Sequence, residues 1–313
     1  MSDNFRTYFV VNPNSANGST ARDWPGIQRQ LEAALGEFGW GMTESMGDAT
    51  RLAREALEQG YEQIVSVGGD GTNNEVVNGF FREDGAPVRD DAVFSFITRG
   101  TGGDFRRIFG FDRQVETFVA NLKGRDASPC DVGKLTFVDH DDREAVRYFI
   151  NITSFGIGGL VDEKVNQSTK AFGGKASFMI GTLKALMQYQ NQTVRFTVDD
   201  GEQRTETINT IAVANGQFFG GGMWVAPEAR IDDGLFDIVI MGDLTKWEVI
   251  RNSGSIYKGE HFSRDKISHL QGRIVRAESD ERVLLDVDGE QPGRLPATLE
   301  CLPGAIRVKG RQV

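Results

Sequence analysis

Three glycines within four positions follow an apolar run in Val65-Ser66-Val67-Gly68-Gly69-Asp70-Gly71-Thr72-Asn73-Asn74-Glu75. Glycine leaves backbone N–H groups uncovered, so they can approach an anion closely, and a helix beginning there adds a favourable partial charge. Phosphate is the ligand such a loop suits. Asp70 could help hold Mg2+ or act as a base, and Thr72 could cap the helix or bond a phosphate oxygen. The plainer alternative is a tight turn with an Asx cap, against which the clustered glycines argue. A second glycine loop, Arg99-Gly100-Thr101-Gly102-Gly103-Asp104-Phe105, follows the next apolar run, and Asn12-Pro13-Asn14-Ser15 closes the first. In an open α/β sheet ligands collect beyond the carboxyl ends of strands, so all three segments would border one crevice.

Two acidic clusters lie further along. Pro227-Glu228-Ala229-Arg230-Ile231-Asp232-Asp233-Gly234-Leu235-Phe236-Asp237 places carboxylates and a glycine before a strand, an oxygen-only setting that suits Mg2+ or Ca2+ as readily as it makes a solvated turn. In Asp286-Val287-Asp288-Gly289-Glu290, period-2 alternation predicts three carboxylates on one face. They would repel one another unless they met a cation or cationic substrate, which gives a catalytic or metal role. An exposed acidic hairpin is the alternative.

Other chemistries are missing from the sequence. There is no G-x-x-x-x-G-K-[ST] loop, no G-x-G-x-x-G after a strand, no G-x-S-x-G elbow and no protein-kinase catalytic-loop set. His140, His261 and His269 lack metal-ligand spacing, and Cys130 and Cys301 are too far apart for a C-x-x-C motif. The two cysteines read as small buried hydrophobes in a reducing compartment. A formal net charge of −10 argues against nucleic acid as a partner and against purely electrostatic membrane binding. With no signal-like start and no apolar run long enough to span a bilayer, the expected location is cytoplasmic.

The elements that must position these residues follow from periodicity. Short apolar runs at 7–11, 41–43, 63–67 and 92–97 alternate with helical spacing at 23–36, 49–58 and 73–81, the pattern of a parallel sheet with helices on its faces. Beyond about Ser128-Pro129, runs at 147–153, 193–198, 205–214, 235–241, 266–275 and 282–287 join mostly through turns, which predicts an antiparallel β-rich part. Residues 158–190 interrupt it with helical spacing and an apolar stripe of Phe178, Met179, Leu183, Leu186 and Met187. The predicted organisation is an α/β nucleotide-binding domain over 1–127 and a β-rich domain over 128–313, whose last segment can return to the first.

Together these motifs resemble the diacylglycerol kinase catalytic-domain family, which includes bacterial lipid kinases and the sphingosine and ceramide kinases. Val11-Asn12-Pro13-Asn14-Ser15 resembles the family's opening nucleotide motif, and Gly68-Gly69-Asp70-Gly71-Thr72 with Asn74-Glu75 its hallmark. Asp233-Gly234-Leu235 resembles its structural Mg2+ turn and Asp288-Gly289-Glu290 its C-terminal catalytic signature. The resemblance implies an NAD kinase/diacylglycerol kinase-like α/β domain, a β-sandwich-like second domain and a nucleotide cleft between them. It implies an ATP- and Mg2+-dependent lipid kinase. Asn12, Asn14, Thr43, Gly69, Asp70, Gly71, Thr72, Glu75 and Thr101 would contact ATP. Asp233 and the carbonyls of Arg230 and Leu235 would hold Mg2+. Glu290 or Asp288, with Asp70 as a third candidate, would take the proton from the lipid hydroxyl.

The acceptor would be of the diacylglycerol type, with ceramide or a sphingoid base, an NAD kinase-like activity, or a non-catalytic lipid- or nucleotide-binding module as alternatives. A homodimer is among the assemblies the resemblance allows. Peripheral membrane contact is expected from residues 161–190, where Lys164, Lys170, Lys175 and Lys184 accompany Phe172, Phe178 and Met179. One departure stands out. The family's second loop usually reads Pro-x-Gly-Thr-x-Asn-Asp-Phe, whereas here Thr98 replaces the proline and Gly103 the asparagine.

Overall fold

A computed structural model describes residues 4–100, 102–167, 184–263 and 265–313. Two compact units divide the chain, one of Met1–Val132 with Pro303–Val313 and one of Gly133–Leu302.

The first unit is a parallel sheet with helical crossovers. In chain order it runs β1 (Thr7–Val11), α1 (Ser19–Leu35), β2 (Gly39–Met42), α2 (Asp48–Glu58), β3 (Gln63–Gly68), α3 (Asp70–Asn78), β4 (Val93–Thr98) and α4 (Val115–Leu122). Strand order is β2-β1-β3-β4, all parallel. The returning tail adds Arg307 and Val308 in parallel register with Val93 and Phe94. Apolar β-branched and aromatic residues make β3 and β4 buried along their whole length, as a strand covered on both faces requires. In α1, Thr20, Trp24, Ile27 and Leu31 recur at helical spacing and are the residues buried against the sheet.

The helical spacing at 73–81 begins too late. α3 starts at Asp70, so Asp70, Gly71 and Thr72 form the first turn of a helix instead of a loop before it. Gly69 is its extended N-cap, and the Asn73 N–H donates to the Gly69 carbonyl at 3.1 Å.

The second unit is a sandwich of two antiparallel sheets. Its strands are β5 (Ser128–Asp139, entering from the first unit), β6 (Glu144–Phe149), β7 (Ile152–Gly156), β8 (Gln192–Val198), β9 (Arg204–Ile208), β10 (Thr210–Ala214), β11 (Phe218–Phe219), β12 (Met223–Trp224), β13 (Phe236–Met241), β14 (Ile267–Gly272), β15 (Ile274–Glu278), β16 (Leu285–Val287) and β17 (Gly293–Val308, leaving for the first unit). Two helices, α5 (Ile157–Gln167) and α6 (Lys246–Ile256), interrupt them. One sheet is β14-β13-β10-β7-β16, while the other contains β17-β15-β8-β9 with β5 on β17 and β6 on β5. Phe149, Phe155, Val194, Phe196, Ile211, Phe236, Val275 and Leu299 fill the space between them.

Three runs that read as single strands each split and change sheets. The run 147–153 becomes β6 and β7, 205–214 becomes β9 and β10, and 266–275 becomes β14 and β15. The hydrophobic pattern continues through each corner because both strands contribute to one core, so periodicity alone does not mark the break. Hydrogen bonding does: at Asn209 the N–H leaves the ladder for the carbonyls of Met241 and Gly242. The expected helix 158–190 is seen as α5 and a short helical stretch over 184–188, and Phe178, Met179 and Leu183 lie outside the described residues. Met187 departs from the expected apolar core stripe and is 62% exposed, while Leu186 is buried.

Candidate active site

In the first unit the carboxyl ends of β1, β2 and β3 meet. A cavity of about 180 Å³ opens there, lined by Asn12, Asn14, Thr43, Thr72 and Glu75 together with the 44–46 loop and Ala49. Asn12 is the hinge of this wall. Its N–H donates to the Val67 carbonyl at 3.0 Å. Its side-chain amide donates to the Thr72 hydroxyl at 3.0 Å, and its Oδ1 accepts the Asn14 N–H at 3.0 Å. One asparagine thus ties the end of β1 to the start of α3.

The two glycine loops approach each other backbone to backbone. The Arg99 N–H donates to the Gly68 carbonyl at 2.6 Å. A Cβ on Gly100 would lie 3.3 Å from the Gly69 Cα, and one on Gly68 would collide with the Thr72 side chain. Asp70 holds the loops in this relation. Its Oδ2 accepts the N–H groups of Gly103 at 2.8 Å and Asp104 at 3.1 Å, and its Oδ1 that of Phe105 at 3.4 Å. Its carboxylate therefore caps the 3-10 turn over Phe105–Phe109. Arg113 braces the same loop, its guanidinium donating to the carbonyls of Gly100 and Gly102, each at 2.6 Å. Thr101 lies outside the described residues.

Glu75 reaches the cavity wall in an unanticipated way. Its Oε2 accepts the N–H groups of Gly47 at 3.0 Å and Ala49 at 3.2 Å, so it caps α2 and fixes the 44–47 loop. Asp48 works from the other side, its Oδ2 accepting from the N–H groups of Glu44 and Ser45. Those N–H groups hold its carboxyl below the ordinary carboxylate range. Sequence reasoning missed this loop. The Ser45-x-x-Asp48 spacing before an amphipathic helix is a capping-box signal that could have found it.

In the second unit the Asp286–Glu290 segment is a hairpin turn, not a strand with three carboxylates on one face. Val287 and Glu290 exchange backbone hydrogen bonds of 2.8 and 3.1 Å. Asp288 and Gly289 between them have φ of +50° and +89°, the signature of the tight turn that an Asp-Gly pair favours. The carboxylates then diverge. Asp288 is buried, and its two oxygens accept the N–H groups of Ile150, Asn151 and Ile152 at 3.0 to 3.2 Å. This is the physical reason the 147–153 run breaks between β6 and β7. Asp286 accepts the Gly289 N–H at 2.9 Å and faces the Ser154 hydroxyl. Glu290 is half-buried and ion-paired with Arg147 through Oε2.

The glycines at 156–159 acquire a role here. A Cβ on Gly158 would sit 2.5 Å from the Ser154 hydroxyl, and one on Gly159 would sit 2.6 Å from Leu284 Cβ. Their absence lets α5 start against β7 and β16.

At the Asp233-Gly234-Leu235 turn, Asp233 Oδ1 accepts the Leu235 N–H at 3.0 Å, and Gly234 takes φ of +77°. The Arg230 side chain pairs with Asp232, so only its carbonyl is suited to a cation. Among the described residues no three His, Cys, Asp or Glu side chains gather as a metal cluster. One carboxylate with backbone carbonyls would make an all-oxygen set, which suits a cation that keeps part of its water shell.

An α/β unit with glycine loops at strand ends, joined in sequence to an antiparallel sandwich, defines an NAD kinase-like class of phosphotransferase fold. A profile of the diacylglycerol kinase catalytic domain matches residues 6–135, and one of the YegS C-terminal NAD kinase beta sandwich-like domain matches 151–310. Relatives include a diacylglycerol kinase of Staphylococcus carnosus, 29% identical over 97% of this chain and 94% of its own. A diacylglycerol kinase of Bacillus subtilis is 28% identical, over 97% and 95%. A probable YegS-like lipid kinase of Chromohalobacter salexigens is 31% identical, over 96% and 91%. In fold, the crystal structure of a diacylglycerol kinase from Bacillus anthracis superposes with a TM-score of 0.76 at 22% identity, covering 99% of this chain and 98% of that one. Yeast NADH kinase superposes at 0.51 and 11% identity, over 97% and 82%. The chain belongs to the diacylglycerol kinase catalytic-domain family and is a lipid kinase.

Proposed function

We propose that this lipid kinase transfers the γ-phosphate of ATP to the hydroxyl of a diacylglycerol-type lipid, with Mg2+. The observation that carries the reading is the meeting of Asn12, Asn14, Thr43, Thr72 and Glu75 on one cavity beside the start of α3. Polar side chains and the N–H groups of the α3 first turn are suited to the phosphates, and the helix end favours their charge. Gly69, Gly71 and Thr101 belong to the same proposed contact set. Glu75 serves it indirectly, by setting the 44–47 loop.

Elimination favours Glu290 as the base. Asp288 and Asp70 both direct their carboxylate oxygens to backbone N–H groups and act as anchors. Glu290 instead pairs with a side chain, Arg147, through one oxygen. In the reaction the lipid hydroxyl loses its proton to Glu290, its oxygen bonds to the γ-phosphorus, and ADP leaves. Positioning and electrostatics supply most of the rate. Asp233, with the carbonyls of Arg230 and Leu235, is the set that would hold Mg2+, which when bound supplies fixed positive charge to that turn.

The test is transfer of labelled γ-phosphate to diacylglycerol, ceramide and sphingosine in mixed micelles, with and without Mg2+. We expect diacylglycerol to be preferred at least tenfold and EDTA to abolish transfer. Preference for ceramide or a sphingoid base would overturn the acceptor, and full activity in EDTA would overturn the metal. ATP binding with no transfer to any of the three would overturn the reading as a whole.

A further inference from the structure

We infer that the outward face of α6 is a membrane-insertion surface, seating Trp247, Ile250 and Tyr257 among the acyl chains of an anionic bilayer. The helix is apolar on two sides. Val249 and Ile256 pack inward against a cluster containing Met241, Leu244 and Ile267. A quarter to half a turn away, Trp247 is 80% exposed, Ile250 48% and Tyr257, at the C-cap, 53%. Their spacing of three and seven residues puts them on one stripe.

Met187, also exposed, adjoins the stripe, since the Lys246 ammonium donates to its carbonyl. A surface helix ordinarily turns polar residues to water on its outer side. An aromatic and aliphatic stripe there marks an interaction site.

Charge chooses the occupant. Arg251 and Lys258 flank the stripe, both exposed, and neither makes an ion pair or side-chain hydrogen bond among the described residues. The one carboxylate within the helix, Glu248, turns to Lys266 and to the Thr245 N–H, which hold its pKa near 2 and its charge away from the stripe. On a chain of net charge −10, Arg251 and Lys258 beside Trp247 and Tyr257 complement anionic headgroups over acyl chains, with the exposed Glu260 two residues beyond Lys258 as an opposing charge. The capping box at Thr245 and Glu248 fixes the helix start and hence the direction of Trp247. Among the described residues no helix is long and apolar enough to cross a membrane. A kinase that acts on a lipid works at a bilayer surface, and to that extent the inference rests on the proposed function.

The experiment is sedimentation of the full chain with vesicles of phosphatidylcholine alone or mixed with phosphatidylglycerol, together with quenching of tryptophan fluorescence by brominated acyl chains. We expect binding to mixed vesicles, quenching that disappears in W247F, and at least a tenfold loss of partitioning in a W247S/I250S variant. R251E and K258E should each cost about fivefold on mixed vesicles and nothing on neutral ones. Circular dichroism and the thermal midpoint of the serine variant should match the parent, since both side chains are exposed.

Unchanged partitioning of W247S/I250S would overturn the inference. So would a parent dimer that the variant dissociates without any change in quenching, which would assign the face to a second copy. Phosphorylation of a short-chain, water-soluble diacylglycerol separates the two readings. Equal turnover by parent and variant supports both. Absence of turnover in both, with vesicle binding still lost in the variant, fails the proposed function and leaves the membrane face standing.

Discussion

The methyl group of Thr98 occupies the space that a side chain on Gly103 would need. A Cβ at 103 would lie 2.6 Å from Thr98 Cγ2, and Gly103 holds φ of +70°. The two departures from the family's second-loop pattern are therefore sterically coupled: a threonine at the strand end faces a glycine. Asparagine tolerates positive φ, so the obstacle to restoring it is volume. Gly103→Asn should destabilise the protein by about 1–3 kcal/mol through overpacking. Thr98→Ser, which removes only the methyl, should recover about 0.5–3 kcal/mol of that loss. Urea unfolding of the two single variants and the double variant measures the coupling, and strictly additive effects would refute the shared volume.

Asp70 ties the second loop to the first through the N–H groups of Gly103, Asp104 and Phe105. Asp70→Ala orphans those donors and frees the loop from α3. Under the proposed function, KM for ATP should rise at least tenfold. Asp70→Asn, which keeps one acceptor oxygen, should fall between. An equal loss of kcat in both variants with KM unchanged would instead return Asp70 to the role of base.

How far these relations could be read in advance depended on their range along the chain. Much of the parallel unit was legible because elements such as β3 and α2 are continuous apolar runs or stripes beside a glycine, whereas α4 was not anticipated and α3 begins earlier than its spacing suggests. That Asn12, Asn14, Thr72 and Glu75 share one wall was legible because strand ends converge in such a sheet, whereas Thr43 came only with the family resemblance. The partners of Asp288 were not. They lie on the 150–152 corner, far away in sequence, and nothing local tells a turn carboxylate to bond there. The Asp-Gly pair itself was a hairpin signal that alternation obscured. For the same reason the sandwich corners at Asn209 and Arg273 were hidden inside runs that read as single strands.

Asp288 and Glu290, two residues apart, should respond to substitution in different ways. Asp288→Ala leaves three N–H groups near a buried site without their acceptor, a loss of about 3–5 kcal/mol in stability. It should lower the thermal midpoint markedly. Glu290→Gln keeps the size and one hydrogen-bonding oxygen toward Arg147, so the midpoint should hold while kcat falls at least a hundredfold, the scale of general-base catalysis. Thermal unfolding beside steady-state kinetics separates them. A Glu290→Gln variant with full turnover would remove Glu290 from the chemistry.

His261 makes stability depend on pH. The ring is fully buried, with Nε2 at 2.9 Å from the Val225 carbonyl, and burial holds its pKa below the ordinary 6.5. A depressed histidine pKa means that the unfolded chain takes up its proton first as pH falls. Its effect on stability is therefore nil well above pH 6.5, and the fold weakens progressively below it until the folded-state pKa is reached. One differential proton limits the slope to about 1.4 kcal/mol per pH unit. His261→Gln keeps a donor for the Val225 carbonyl and removes the titration. Packing sets its stability at pH 7.5, and the difference between pH 7.5 and pH 5.5 should be smaller than in the parent. Urea unfolding at the two pH values tests this, and an unchanged difference would place the acid sensitivity elsewhere.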